Sequence, residues 1–317
     1  MTNEQKDQIV TAVKRFVKSK KMSQADFARF SEIGATYISD WFNGKHEHKS
    51  KEGIFSPIGE AQYQKAAKAI GMSLVASYWR TVQTPQFVDV ISALEDAKER
   101  GVAKMIIGQT GCGKTYAVNR FIEANPINTF RITVSNMHKI HDILNDLGRL
   151  MGLSIEFQHR KALRMKAVAD KLKEIHLKGG RPLVIIDEAE NLSHGMIGLC
   201  KGIYDAINEY CGFVLIGTEE LQGKLDKMER YSYNYPGIPQ FKRRFKAGTV
   251  TLDRIDKKEH FKAFLSGVDN ANLRDMLRGL CENYGELHDF LEPAFRSATE
   301  DGVPLTDEYF RTMYKIV

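Results

Sequence analysis

The sequence predicts an α/β protein: a doubly wound parallel sheet of five strands, preceded by a small all-α unit and followed by a segment of helices alone. Three observations predict it. The glycine-rich stretch GQTGCGKT, residues 108–115, stands between an apolar run and a helical one. A second apolar run, Leu183 to Ile186, ends in two carboxylates, Asp187 and Glu188. Apolar runs of strand length then alternate with helical stretches through the middle of the chain and stop near Leu252, the pattern of strands joined by crossover helices. At 317 residues with 43% hydrophobic and 27% charged content, the chain can bury a sizeable core and divide into units. The expected divisions are 1–83, 84–252 and 253–317.

The first unit rests on residues 21–45, KMSQADFARFSEIGATYISDWFNGK, which read as two short helices around a tight turn. Ser23 and Asp26 have the spacing of a helix cap, small Ala28 permits close packing, Gly34 marks the turn, and Asn43-Gly44 stops the second helix. This segment resembles the helix-turn-helix of the phage repressor class, with Gln24, Ala28, Gly34, Ile38 and Trp41 at the matching positions. The resemblance implies that the second helix enters the major groove, with Thr36, Tyr37, Ser39 and Asp40 towards DNA and Ile38 and Trp41 packed inward. Lys45, Lys49 and Lys51 suit phosphate contacts, while Asp40 is awkward beside phosphates. The alternative is a small helical bundle used for protein contacts. A further helical stretch is expected from about Gly59 to Arg80, broken by Thr84-Pro85-Gln86. The net charge of +6 is concentrated here, since residues 1–80 hold 13 Lys or Arg against 8 Asp or Glu. A basic flank of this kind fits an anionic partner or a solvated face.

In the middle unit, Lys104 to Ile107 forms the first strand, followed by the loop. Gly108, four residues, Gly113, Lys114 and Thr115 match the phosphate-binding pattern: backbone N–H groups cradle phosphates, Lys114 reaches the outer ones and Thr115 takes Mg²⁺. Gly108, Gln109, Thr110, Gly111, Cys112, Gly113, Lys114, Thr115 and Tyr116 are therefore the expected ATP contacts. Phe130 to Val134 is the second strand, with helices near Lys139 to Met151 and Arg160 to Leu177. The third strand ends in Asp187, placed to hold Mg²⁺, and Glu188, placed to orient and deprotonate the attacking water. Phe213 to Gly217 and Gly248 to Leu252 complete the sheet.

From about Asp256 the chain reads as helices only. A helical lid after a five-stranded sheet resembles the P-loop AAA+ ATPases. That resemblance implies that nucleotide lies between neighbouring subunits and that the segment Phe241-Lys242-Arg243-Arg244-Phe245 holds an arginine finger, for which Arg244 is favoured over Arg243. A basic surface is the alternative for that pair. Thr218 stands at the first sensor position where Asn is common. His288 stands where a second-sensor Arg is often found, which implies slow hydrolysis.

The order of parts is similar to that of the AAA+ helper ATPases of DNA transposition, the group of phage Mu transposition protein B, IstB and TnsC. It runs from the helix-turn-helix through Pro85-Gln86-Phe87-Val88, Gly108 to Thr115, a basic helix, Ile185-Ile186-Asp187-Glu188-Ala189 and Val214-Leu215-Ile216-Gly217 to the lid. The resemblance implies an ATP hydrolase that forms a helical filament on double-stranded DNA with low sequence specificity, delivers target DNA to a transposase and activates it, and is released by hydrolysis. The basic helix supports it independently. Between His159 and Arg181 stand eight Lys or Arg and two acids. Arg164, Lys171 and Lys178, seven apart, share one face, and Arg160, Lys161, Arg164 and Lys171 are the expected DNA contacts there, a solvated helix face being the alternative. Two other functions remain open: an ATP-switched helix-turn-helix transcription regulator and a helicase-loader-type ATPase.

The aromatic run Tyr231-Ser232-Tyr233-Asn234-Tyr235-Pro236 reads as an exposed loop. Cys112, Cys200, Cys211 and Cys281 lack CxxC spacing, which argues against zinc and against a disulfide framework. No apolar run long enough to span a membrane and no signal peptide is apparent, so a cytoplasmic location and no membrane partner are expected.

Overall fold

The structure is a computed structural model that describes residues 3–20, 22–49, 53, 55–70, 78–154 and 160–316. It divides into two compact units, Met1–Tyr78 and Trp79–Val317.

In the first unit, α1 (Asn3–Ser19), α2 (Gln24–Ser31), α3 (Ala35–Phe42) and α4 (Glu60–Ala69) enclose Ile9, Val13, Phe27, Ile38, Trp41 and Tyr63. The α2 cap forms as its spacing predicts: Ser23 Oγ accepts from Asp26 N at 3.1 Å and the Asp26 carboxylate accepts from Ser23 N at 3.2 Å. That satisfies two backbone donors the helix itself cannot. The left-handed residue of the turn is Glu32 (φ +55°) rather than Gly34, which instead caps α3. Ile38 and Trp41 are fully buried, as expected.

Between α3 and α4 stands an antiparallel hairpin, β1 (Glu47–Lys49) and β2 (Phe55–Pro57), which the sequence does not announce. A two-stranded ribbon is marginal alone, and this one is anchored. His48 Nδ1 lies 2.8 Å from Asp40 Oδ2 and its ring 4.9 Å from that of Tyr37, while His46 bridges Asp7 and Tyr63 at 2.8 Å each. Asp40, awkward as a DNA contact, is thus held by the hairpin. The helix expected from Gly59 to Arg80 ends at Ala69, residues 71–77 lie outside the described residues, and Tyr78 to Gln83 are not helical.

The second unit begins with α5 (Pro85–Arg100). Thr84, read as part of a break, is its N-cap, and Pro85 occupies the first helical turn, where its missing N–H costs nothing. Then follow β3 (Ala103–Ile107), α6 (Lys114–Ala124), β4 (Thr129–Thr133), α7 (Ile140–Leu150), α8 (Lys161–Leu177), β5 (Leu183–Asp187), α9 (His194–Ile207), β6 (Gly212–Gly217), α10 (Glu219–Arg230), α11 (Ile238–Lys246) and β7 (Thr249–Thr251). Four helices, α12 (Lys257–Leu265), α13 (Ala271–Leu280), α14 (Tyr284–Glu300) and α15 (Asp307–Tyr314), form the lid.

The sheet is wholly parallel in the order β4-β5-β6-β3-β7. Strand alternation divides its core. Met105, Ile107, Val184, Ile186 and Leu215 join α7, α8, α9 and α11 on one face, whereas Ile106, Ile185, Val214 and Ile216 join α5 and α6 on the other. Both faces being covered, the strands are continuous apolar runs. The strand bearing the phosphate loop and the strand ending in Asp187 both pair with β6, so their carboxyl ends flank one crevice. Among the described residues no helix is long and apolar enough to cross a membrane.

Candidate active site

The loop after β3 turns sharply because Gly111 (φ +73°) and Gly113 (φ +90°) take left-handed conformations that side chains resist. Gly113 is the N-cap of α6, so the free N–H groups of that helix end, with their partial positive charge, lie at the loop. Lys114 is buried, and its Nζ donates to the carbonyls of Gly108 and Gln109, each at 2.8 Å.

Asp187, at the end of β5, is 1% exposed. Its Oδ1 accepts from Glu188 N at 3.0 Å, and its Oδ2 accepts from Thr115 Oγ1 at 3.4 Å and from Arg131 Nη2 at 2.6 Å. Thr115 and Asp187, expected to share a metal, are therefore brought together. Among the described residues no group of three or more His, Cys, Asp or Glu could hold a metal. A cation here needs phosphate oxygens and water as further ligands, which suits Mg²⁺ rather than an all-protein cage.

Glu188 takes a left-handed conformation (φ +56°), a strain that residues of this kind show at working sites. Burial pushes its carboxyl above the ordinary value of 4.5, and the charges of Glu190 and Asp187 push it further. Two buried oxygens nearby, Glu190 Oε2 and Thr218 Oγ1, have no hydrogen-bond partner. Orphaned polar atoms are costly, and both residues line the same cleft as Lys114 and Glu188, which fits a site whose ligand is strongly polar.

That cleft has a volume of about 350 Å³. Its polar end is formed by residues 110–116, Glu188, Glu190 and Thr218, and its apolar end by Trp79, Val82, Phe87, Phe264, Tyr284 and His288. Trp79 stacks on Phe264 (centroids 4.5 Å, 16°) and meets His288 edge-on at 5.1 Å. The segment carrying it is pinned on both sides: Trp79 N donates to Glu292 Oε2 at 2.9 Å, Arg80 Nη2 to the Ala263 carbonyl at 3.0 Å, and the Thr81 and Tyr116 hydroxyls lie 2.5 Å apart. Tyr284, whose phenol burial pushes up to about 12, donates to Gln86 Oε1 at 2.9 Å. A flat apolar slot beside a phosphate loop suits the base of a nucleotide.

Sequence reasoning missed Trp79, Phe264, Tyr284, Glu190 and Arg131. Arg131 did leave a signal, as the one cation in the strand TFRIT.

The remaining expected residues are not among those that line this cleft. On α11, Arg244 grips both carboxylate oxygens of Asp205, with Nη2 2.8 Å from Oδ2, and donates to the Gln240 carbonyl at 2.7 Å. Arg243 is exposed and makes no hydrogen bond or ion pair among the described residues. On α3, Thr36 and Ser39 are exposed, whereas Tyr37 is half-buried beside His48; Lys45 is exposed beyond the helix. Lys51 lies outside the described residues. Around α8, Arg160 and Lys161 are exposed. Arg164 donates to Asn145 Oδ1 at 2.9 Å, and Lys171 (3.0 Å) and Lys178 (2.5 Å) both pair with Glu174. The face they share is thus partly neutralised. Tyr233 is 96% exposed in the loop between α10 and α11. All four cysteines are free and buried.

Comparison with known proteins bears on the fold that carries this cleft. Residues 99–225 match the family model of an AAA domain. The chain is 21% identical over 218 residues to the Mu-like prophage FluMu DNA transposition protein B of Haemophilus influenzae, covering 68% of this chain and 71% of that protein. Among solved structures, it is similar to the ORC2 protein of Aeropyrum pernix, with a TM-score of 0.52 and 18% identity, covering 74% of this chain and 68% of that one. It is also similar to Cdc6p of Pyrobaculum aerophilum, with a TM-score of 0.53 and 13% identity, covering 73% and 66%. The fold is that of the P-loop AAA+ ATPases.

Proposed function

We propose, for a chain that carries an AAA domain on the P-loop AAA+ fold and resembles the transposition protein B of Mu-like prophages, that it is an ATP hydrolase acting in DNA transposition. With ATP, copies polymerise on double-stranded DNA with low sequence specificity in the cytoplasm of the host cell. The polymer delivers that DNA to a transposase and activates it, and hydrolysis releases it. The observation that carries the enzymatic part is that Lys114, Thr115 and Glu188 line one cleft and that buried Asp187 accepts from Thr115 at 3.4 Å. The likeness to a transposition protein supports the task.

The chain's own residues divide the work. Loop N–H groups from Gly108 to Thr115 hold the phosphates, and Lys114 exchanges its two carbonyl partners for phosphate oxygens. Trp79, Phe264 and Tyr284 enclose the base. Thr115 and Asp187 would hold Mg²⁺, which when bound draws charge from the phosphate oxygens. Glu188 orients a water molecule and accepts its proton as the water oxygen bonds to the γ-phosphorus and the bond to the β–γ bridging oxygen breaks, leaving ADP and phosphate. Glu190 and Thr218 offer their unpartnered oxygens to that water or to phosphate.

The finger that stabilises the developing charge from a neighbouring subunit belongs to the Arg243–Arg244 pair. The geometry favours Arg243, because Arg244 must first leave Asp205. DNA contacts fall to Arg160 and Lys161, which stand exposed, and to Thr36, Ser39 and Lys45 of the first unit.

Fluorescence anisotropy with two duplexes of unrelated sequence tests this reading. ATP is expected to tighten binding to both equally, with more protein bound per added length of DNA, and Lys114→Ala is expected to remove the ATP effect. Binding confined to one sequence at fixed stoichiometry favours the transcription regulator instead.

A further inference from the structure

Arg131 stands in the middle of β4, the edge strand beside β5. In-register pairing places Arg131 opposite Ile185 and Thr133 opposite Asp187, so Arg131 and Asp187 are diagonal neighbours on one face of the sheet. Two of the three guanidinium nitrogens are engaged: Nη2 donates to Asp187 Oδ2 at 2.6 Å, Nη1 to Asn119 Oδ1 on α6 at 2.5 Å, and buried Nε has no partner. The carboxylate oxygen that accepts from Arg131 is the one that also accepts from Thr115.

We propose that Arg131 competes with a divalent cation for Asp187 and so makes metal binding conditional on nucleotide phosphates. This rests on the cleft being the nucleotide site. A cation held by Thr115 and Asp187 must approach Oδ2, where a guanidinium already lies within hydrogen-bond distance. A guanidinium cannot shed its charge by deprotonation, and little water is present to screen the repulsion because Asp187 is buried. Since no group of three or more metal-ligating His, Cys, Asp or Glu is assembled among the described residues, Asp187 is a large part of the protein's hold on the ion. Sharing it with Arg131 leaves that hold weak until phosphate oxygens add ligands and negative charge. The site then takes the metal together with a nucleotide polyphosphate in preference to the free ion. Asn119 gives the guanidinium a second anchor, so it can turn from Asp187 without leaving its place.

The test is a Mg²⁺ titration of binding of a fluorescent ATP analogue to the full chain, comparing wild type with Arg131→Gln and Asn119→Asp. Thermal melting in chelator serves as the folding control. Arg131→Gln removes the competing charge, and its Mg²⁺ midpoint is expected to fall about tenfold. Exposed Asn119→Asp, which draws the guanidinium away from Asp187, is expected to move the midpoint the same way while melting like wild type. If Arg131→Gln does not fold, Asn119→Asp alone decides. Midpoints unchanged or raised in a folded variant that still binds nucleotide overturn the proposal, since Arg131 is then a structural partner or an organiser of Asp187. Failure of the wild type to bind the analogue at any Mg²⁺ concentration overturns instead the reading of the cleft as a nucleotide site.

Discussion

The backbone N–H of Gly285 donates to the carbonyl of Gly111 at 3.2 Å, so the first turn of α14 is bonded to the phosphate loop itself. Asn283, the N-cap of that helix, lies so close that a Cβ built on Gly111 falls 2.1 Å from its Oδ1. The lid therefore rests on the element whose shape nucleotide binding depends on. Gly111→Ala is expected to push Asn283 aside and strain a left-handed residue at a cost of about 1–2 kcal/mol, lowering the melting temperature and abolishing ATP binding. Calorimetric titration with ATP checks it; wild-type affinity in the variant contradicts the latch.

The raised Glu188 carboxyl fixes the direction of two pH effects. Its folded-state pKa lies above the ordinary 4.5, so its contribution to stability is present below 4.5 and is lost as pH rises through the folded value. A base must be ionised to work, so ATP turnover is expected to have an acid limb above pH 4.5. Burial is the first cause and survives mutation of a neighbour. Glu190 is the second, so Glu190→Gln is expected to move the limb to lower pH. Glu188→Gln is expected to retain ATP binding and lose about 10²–10⁴-fold in turnover. A pH–rate profile of the three proteins decides, and an unmoved limb in Glu190→Gln removes the electrostatic coupling.

Arg243 and Arg244 separate by what each variant breaks. Arg244→Ala leaves Asp205 to the weaker pair with Lys201, 3.7 Å away, and is expected to cost about 1 kcal/mol of stability, modest because both side chains of the lost pair reach solvent. Arg243→Ala is expected to leave melting unchanged but to cut turnover in the DNA-bound assembly about 10³-fold. Equal turnover in wild type and Arg243→Ala, measured at saturating DNA, returns the finger to Arg244.

Much of the fold is legible in the sequence. Leu183 to Ile186 announces a strand because a parallel strand covered on both faces needs no alternation, and Ser23 with Asp26 announces a helix start because both cap hydrogen bonds are local. The hairpin left no such mark. Glu47, His48 and Lys49 are polar throughout and little buried, so neither face of β1 carries an apolar period. Its stability comes from Asp40, Tyr37, Asp7 and Tyr63, which only folding brings near. The apolar end of the cleft was hidden for the same reason, since Trp79 has no evident role until Phe264 and His288 arrive from the lid. Spacing could place an arginine pair after α10 but could not see Asp205 on α9, which occupies Arg244.

The cations of α8 differ in availability. Arg160 and Lys161 are exposed, while Arg164 is bonded to Asn145. Replacing Arg160 and Lys161 with Ala is expected to lower the salt dependence of DNA affinity by about two phosphate contacts, and Arg164→Ala to lower it less. Binding measured from low to moderate salt tests this; an unchanged slope in the double variant places the DNA elsewhere.

Negative-stain microscopy distinguishes an ATP-switched polymer on arbitrary DNA from a protein bound at fixed sites. The protein is imaged with plain linear DNA in ATP, in ADP and without nucleotide, beside Lys114→Ala. Continuous filaments that require both ATP and an intact Lys114 are the predicted result. Isolated particles at fixed sites, or no association with arbitrary DNA, contradict it.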